Sequence, residues 1–214
     1  MNLYSDKDQD YFSNARKEIL SLLPSQREEN AHVLEIGCSS GHTLQWLKES
    51  GYCTRTIGVE LYADVDVVQR KIDQFFKLDI EKAMPDVPAQ SINLILCLDV
   101  LEHLVDPWAV IVRLTNLLSR DGAMVLSLPN VRNYRVLSNL ALRGKFDYTN
   151  SGIMDKTHLR FFTKSGAIAL ACSSGLNLLH VRPTEVARWH KRLLCAVGLE
   201  EFIAKQYIVV AIKA

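Results

Sequence analysis

A chain of 214 residues carrying 25 Lys and Arg against 24 Asp and Glu has a net charge of +1, so nothing global directs it to nucleic acid or to an anionic membrane. Its hydrophobic content of 48% suits a globular protein with one sizeable α/β domain, and no apolar run nears the ~20 residues of a membrane span. The five cysteines, Cys38, Cys53, Cys97, Cys172 and Cys195, form no Cys-x-x-Cys pair, which argues against a zinc site or a disulfide framework and fits a reducing cytoplasm.

The opening MNLYSDKDQDYF lacks the basic and then apolar pattern of a secretory signal, and no repeat or linker divides the sequence. A leading helix is expected over 11–23, where Phe12, Ala15, Ile19, Leu22 and Leu23 recur at helical spacing before Pro24. Strands are expected at 32–36, 54–59, 74–78 and 92–98; the last, INLILCL, is apolar almost throughout, as a strand covered on both faces should be. Helices fall between them at 41–50, stopped by Gly51, and at 61–71. Asp106-Pro107 opens a helix with Val110, Ile111, Leu114 and Leu118 on its buried face. Asp121-Gly122 reads as a turn into a strand at 123–128 that Pro129 ends. A helix at 133–142, a polar and aromatic loop at 145–162, a helix from Thr163, a strand at 176–181, a helix at 185–205 and a last strand at 207–212 follow. Strands alternating with helices imply a mostly parallel sheet with right-handed crossovers, and the last strand is a candidate antiparallel edge.

Four features sit at strand carboxyl ends, where open α/β sheets bind ligands. The first is Val33-Leu34-Glu35-Ile36-Gly37-Cys38-Ser39-Ser40-Gly41, a strand, a small-residue turn and a helix start. There the backbone can approach a ligand closely and helix N–H groups are free, although the same pattern also makes an ordinary tight turn. The second is Glu60, roughly 20 residues further on, placed to accept bonds from ribose hydroxyls where a lone Glu would otherwise be solvated. Leu78-Asp79-Ile80 and Leu98-Asp99-Val100-Leu101-Glu102-His103-Leu104 complete the set.

In combination, VLEIGCSSG, GVE, LDI, LCLDVLEHLVDP and LLSRDGAMVLSLPN resemble the class I S-adenosylmethionine-dependent methyltransferases over residues 11 to about 182. The resemblance implies a single domain over 1–214 with an α/β fold: a Rossmann-like three-layer sandwich whose mostly parallel seven-stranded sheet has an antiparallel last strand. It implies S-adenosylmethionine as cofactor, with Glu35 near the methionine amino group and Gly37, Cys38, Ser39 and Gly41 around the methionine and ribose. Glu60 would hold the ribose hydroxyls, Leu61 the adenine face, Asp79 and Ile80 the adenine edge, and Leu98, Asp99 and Val100 the sulfonium side. The segment 1–30 would carry a leading helix that closes over the cofactor, with Tyr11 either a lid or a core residue. Ser39 and Arg120-Asp121-Gly122 depart from the glycines frequent there in the family.

SLPNVRNY, LRGKF and DKTHLRFFT are similar to a bacterial branch associated with cell-surface polysaccharides, to methionine-biosynthesis W proteins and, more distantly, to ubiquinone-pathway O-methyltransferases. Residues 130–162 are expected to cover the acceptor. Arg132, Arg135, Arg143, Lys145, Lys156 and Arg160, interleaved with Tyr134, Phe146, Tyr148, Phe161 and Phe162, suit an anionic acceptor or else a solvated basic face. Arg132, Asn133, Tyr134 and Arg160 are the expected substrate contacts. His158 is the candidate base and Asp155, three residues earlier, its orienter, unless the two only tie the loop down; His103 is expected to shape the pocket. No ligand-spaced cluster calls for a metal. The expected acceptor is a small or lipid- or nucleotide-linked hydroxyl compound such as a sugar, with an amine or protein acceptor, or a cofactor-binding partner protein without turnover, as alternatives. No nucleic acid, no membrane span and a cytoplasmic location are expected, and a homodimer stays open.

Overall fold

Seven strands pair into one sheet, and the five interior ones bury most of their residues against its faces. The computed structural model describes residues 16–23, 31–62, 65–184 and 199–214. Its strands are β1 (His32–Ile36), β2 (Arg55–Glu60), β3 (Gln74–Lys77), β4 (Ile92–Leu98), β5 (Leu118–Pro129), β6 (Asn177–Pro183) and β7 (Gln206–Ile212), in the order β3-β2-β1-β4-β5-β7-β6. Strands β1 to β5 pair in parallel, and β7 runs antiparallel to both β5 and β6. The helices are α1 (His42–Glu49), α2 (Val65–Gln69), α3 (Pro107–Thr115), α4 (Tyr134–Arg143), α5 (Lys164–Cys172) and α6 (Glu200–Ile203), with short 3-10 helices at Lys17–Leu22 and Leu101–His103.

Strand alternation divides the core in two. Leu34, Ile36, Ile95, Cys97, Met124, Leu126 and Val209 pack with Val110, Ile111 and Leu114 of α3 and Leu170 of α5. On the other face Val33, Leu94, Leu96, Val125 and Val210 meet Leu44 and Leu47 of α1, Val68 of α2 and Ile19. The result is the expected three-layer α/β sandwich. Parallel strands with both faces covered send all their carboxyl ends to one edge, and the segments that leave that edge carry the polar residues.

Several boundaries differ from the sequence expectation. The described part of the leading helix is a 3-10 helix over Lys17–Leu22, and Tyr11 lies outside the described residues. Strand β5 starts at Leu118 rather than 123, and the Asp121-Gly122 turn is absorbed as an irregularity: Asp121 has φ 61° and the register with β4 shifts between Ile92 and Leu94. The last strand is antiparallel, but it is interior. Five of its seven residues are buried, whereas β6 is mostly exposed and forms the edge. Of the helix expected over 185–205, α6 occupies Glu200–Ile203, and 185–198 lie outside the described residues. Among the described residues no helix is long and apolar enough to cross a membrane.

Side-chain caps fix the helix starts. Asp106 accepts from Ala109 N at 3.0 Å ahead of Pro107, Asn133 from Arg135 N at 3.1 Å and Thr163 from Gly166 N at 3.2 Å. Asn130, 1% exposed, locks the end of β5: its Nδ2 donates to the carbonyls of Glu201 (2.8 Å) and Ala204 (3.0 Å), and its Oδ1 accepts from Arg132 N (3.1 Å). Replacing Asn130 with Ala removes all three bonds in a buried site and should cost ~2–4 kcal/mol. Urea unfolding with an unchanged m-value is the measurement, and a loss under ~1 kcal/mol would show that the lock is dispensable.

Candidate functional site

The turn after β1 is shaped by steric limits. Gly37 has φ +71°, and a Cβ built there would lie 2.3 Å from Cγ2 of Val100. Gly58 on β2 has the same constraint without the unusual φ, because its Cβ would meet Cys38 Sγ at 2.6 Å. The turn is hung on β2, where the Val59 carbonyl accepts Gly37 N at 2.8 Å and Cys38 N at 3.1 Å. Ser39 then follows at φ +50°, a left-handed conformation in which serine replaces the glycine frequent in the family. Its amide donates to Glu60 Oε2 at 3.1 Å, while Glu60 Oε1 accepts Leu61 N at 2.8 Å and Tyr62 N at 3.2 Å. Three amides therefore aim the Glu60 carboxylate. Oε1 is filled by two of these donors, and Oε2, with one, keeps acceptor capacity for a further hydroxyl donor.

Glu35, on β1 beneath this turn, is 4% exposed, and its Oε2 has no hydrogen-bond partner among the described residues. Burial pushes its carboxyl up to about 8; the Arg16 guanidinium opposes that rise, Glu60 adds to it and a hydrogen bond with Thr43 opposes it. A buried acidic oxygen at a strand end, short of a donor, suits an ammonium group.

Next along the edge, Asp99 follows β4 at φ +59° and gathers three elements. Its Oδ1 accepts from Ser127 Oγ at 2.9 Å and Gln206 Nε2 at 2.6 Å, and its Oδ2 pairs with Arg16, which also donates to Ser127 Oγ at 3.2 Å. Arg16 and Gln206 line a hollow of about 730 Å³ with Arg182 and Thr184. On the other flank, Asp79 Oδ1 accepts Glu81 N at 3.0 Å and Oδ2 pairs with Lys82 at 2.8 Å. That lysine holds the Asp79 carboxyl below the ordinary range. Ile80 and Leu98 are buried beside them, and Leu61 is exposed.

The acceptor-side segment differs from the expectation in its wiring. Asp155 is buried, and its Oδ1 accepts both Thr157 N (2.9 Å) and Thr157 Oγ1 (2.7 Å). His158 is also buried, and the atom facing its Nδ1 is the Ile153 carbonyl, at 3.0 Å. The orienter of the imidazole is thus a backbone carbonyl. Three residues of a tight turn bring His158 N onto the Asp155 carbonyl at 3.0 Å, which commits the Asp155 side chain to the turn itself. Nε2 of His158 lies 4.0 Å from Glu102 Oε1, and the His103 ring stands edge-on to that of His158, with centroids 4.8 Å apart. Glu102, His103 and His158 thus meet, although no spacing in the sequence links them.

Among the expected substrate residues, Tyr134 and Asn133 line a second hollow, of about 510 Å³, with Arg135, Lys145, Phe146, Thr149 and Lys205. Asn133 is 3% exposed and caps α4, with Nδ2 donating to the Ala204 carbonyl at 3.0 Å, so it builds the wall more than it reaches into the space. Arg132 turns away, paired with Glu201 and stacked 4.8 Å from the Phe202 ring. Arg160 is held by the Val105 carbonyl. Their cationic role in the hollow falls instead to Arg135, Lys145 and Lys205. Arg16, Ser127, Gln206 and Glu102 were given no role from sequence. Only Glu102, three residues after the strand-end Asp99, carried a local signal.

Residues 8–181 match the family described as a methyltransferase domain. A ubiquinone biosynthesis O-methyltransferase of Coxiella burnetii (strain Dugway 5J108-111) is 26% identical over 162 residues, which cover 68% of this chain and 67% of that protein. A protein of the same name from Hydrogenovibrio crunogenus is 27% identical over 161 residues, covering 72% of this chain and 65% of that one. The chain therefore spans about two thirds of the length of these relatives. Among solved structures, that of a SAM dependent methyltransferase from Archaeoglobus fulgidus matches with a TM-score of 0.66 at 18% identity, covering 95% of this chain and 97% of that one. At this identity the likeness is one of fold.

The buried Glu35 carboxyl makes stability depend on pH. Its folded value lies above its unfolded one, so the folded state holds an extra proton between about 4.5 and about 8. Its contribution is complete below that window and is lost as pH rises through it, at roughly 1.4 kcal/mol per pH unit for full proton uptake. Glu35→Gln should flatten this part of the stability profile, measured by urea unfolding from pH 5 to 9. A variant that loses stability across the window as steeply as the parent would contradict the assignment.

Proposed function

The chain belongs to the methyltransferase-domain family, and on that premise we propose that it transfers a methyl group from S-adenosylmethionine to a hydroxyl of a small or lipid-linked, anionic, sugar-like acceptor. The observation that carries the cofactor assignment is the Glu60 carboxylate, fixed by the amides of Ser39, Leu61 and Tyr62 at the end of β2. The residues fit the group: Glu35 offers the methionine ammonium a buried oxygen that has no donor among the described residues, and the turn at Gly37 to Gly41, folded across the end of β2, carries only small side chains. Glu60 then takes the ribose hydroxyls, Leu61 the adenine face, Asp79 and Ile80 the adenine edge, and Leu98 to Val100 the methionine side. When bound, S-adenosylmethionine supplies an electrophilic methyl on a sulfonium.

The rest is work for the protein's own side chains. Transfer needs the acceptor oxygen held in line with the methyl group and relieved of its proton. The hollow between α4 and the 145–154 loop supports an anionic acceptor, because Arg135, Lys145 and Lys205 offer charge while Tyr134 and Phe146 offer an apolar wall. Proton removal is assigned to the cluster around His158. Its Nδ1, facing the Ile153 carbonyl, carries the proton, which leaves Nε2, on the Glu102 side, basic. Asp155 supports this arrangement by shaping the turn. The O-methyltransferase names of the relatives favour oxygen over nitrogen as the atom methylated.

Glu60→Ala should weaken S-adenosylmethionine binding by roughly 1.5–3 kcal/mol, read by titration calorimetry. Unchanged affinity removes the ribose assignment, and no saturable binding by the parent removes the cofactor. With cofactor saturating, His158→Ala should lower turnover by ~10²–10⁴-fold. Loss of only a few-fold excludes the cluster from proton removal. A neutral glycoside methylated as well as its phosphate-bearing counterpart would defeat the anionic acceptor.

A further inference from the structure

Among the described residues, one trio of side chains places a metal-ligating atom from each member within 4.8 Å of the other two: Glu102, His103 and His158. We infer that this trio is a binding centre for a divalent transition-metal cation on the acceptor side of the site. The inference rests on the proposed reaction for its role and on geometry alone for its existence.

Two imidazoles and a carboxylate from separate parts of the chain make a three-ligand set with open positions. That donor mixture suits manganese, iron, cobalt or zinc better than magnesium or calcium, which prefer all-oxygen shells. The outer contacts are those that ready imidazoles for a metal. Nδ1 of His158 faces the Ile153 carbonyl at 3.0 Å, and Nδ1 of His103 faces the Thr157 carbonyl at 3.1 Å. A carbonyl can only accept, so each Nδ1 carries the proton and each Nε2 presents its lone pair. The backbone keeps the two donor segments in register, since the Glu102 carbonyl accepts both Leu159 N (2.8 Å) and Arg160 N (3.0 Å). Ligands of one ion at ~2.0–2.2 Å sit roughly 3–3.5 Å apart, so atoms spread over as much as 4.8 Å have to close by roughly 1.5 Å, a rotamer-scale adjustment. His103 is only half-buried and gives the ion an entry, while Glu102 and His158 are buried.

The position gives the ion a task. Glu102 and His103 come just after the strand-end residues Leu98 to Val100 of β4, which flanks β1 on the side away from β2 and its Glu60. A cation there lowers the pKa of an acceptor hydroxyl drawn to its open position, and the released proton passes to solvent. The charge that His158 would otherwise take up alone is then carried by the ion, with both histidines as ligands. The expectation that no metal is needed looked for ligand spacing along the chain, and 55 positions separate His103 from His158 in the sequence.

Cobalt(II) is the probe. Stripped of metal and titrated with Co²⁺, the protein should develop visible d–d absorption that saturates at one ion per chain. His158→Gln and His103→Gln should each weaken that binding at least tenfold. His103 is the less buried, so its variant remains informative if His158→Gln fails to fold, and His180→Gln on the exposed edge strand should titrate as the parent does. A folded parent with no saturable band, or undiminished binding in both ligand variants, overturns the site. Titrating S-adenosylmethionine into the same samples separates the two readings: cation binding without cofactor binding defeats the methyltransferase proposal only, and cofactor binding without cation binding defeats the metal centre only. Full turnover by protein verified to be free of metal would overturn the role assigned to the ion.

Discussion

The carbonyl of Val59 is the fixed point of this site. By accepting the amides of both Gly37 and Cys38, it folds the chain leaving β1 sharply across the end of β2. Everything near it follows from that fold-over. Ser39 is carried to Glu60, whose oxygens would otherwise point to solvent, and Glu35 is roofed over and loses its water. Only residues without a Cβ fit at the closest approaches, where Val100 presses on Gly37 and Cys38 on Gly58. Cys38 and Cys97 are buried near these carboxylates, and their thiols are pushed well above the ordinary range, so they act as small apolar side chains and not as nucleophiles.

A second junction, at Asp99, ties the centre of the sheet to its periphery. Ser127 comes from β5, Gln206 from β7 and Arg16 from the leading segment, and all three converge on one carboxylate. Strain is stored here as well, because Asp99 sits in a left-handed conformation that its neighbours must hold. The leading segment is therefore coupled to the same carboxylate that the family resemblance places beside the sulfonium. A change in what Asp99 bonds to would be felt at once by Arg16 and by the hollow it lines.

The fold was legible because its signals are local. INLILCL suits a strand covered on both faces, and Asp106-Pro107 suits a helix start; both form as expected. The strand-end cluster was legible for a related reason: Gly37, Glu60, Asp79 and Asp99 each lie at or just after the end of a strand, and a parallel sheet collects those ends at one edge. The acceptor side was not legible in this way. Arg132 and Arg160 look like phosphate ligands in a list of charges, but Glu201 and the Val105 carbonyl claim them. Asp155 and His158, three apart, suggested a dyad, and a two-residue turn toward Thr157 gave the carboxylate a nearer donor. Glu102 and His158 became neighbours through the pairing of a loop with a 3-10 helix, which no periodicity encodes.

The placement of β7 has a consequence for how the chain is made. The strand latest in sequence is interior in the sheet, seated between β5 and β6. Until residues 206–212 have been synthesised, β5 presents a bare edge of unpaired amides and carbonyls, and β6 has nothing to pair with. Gln206, needed at Asp99, belongs to the same late strand. A nascent chain on the ribosome can thus pair the five parallel strands around Glu60 while β6 waits for β7. Interruption of synthesis before residue 206 leaves a sticky, incomplete sheet whose central junction has not closed.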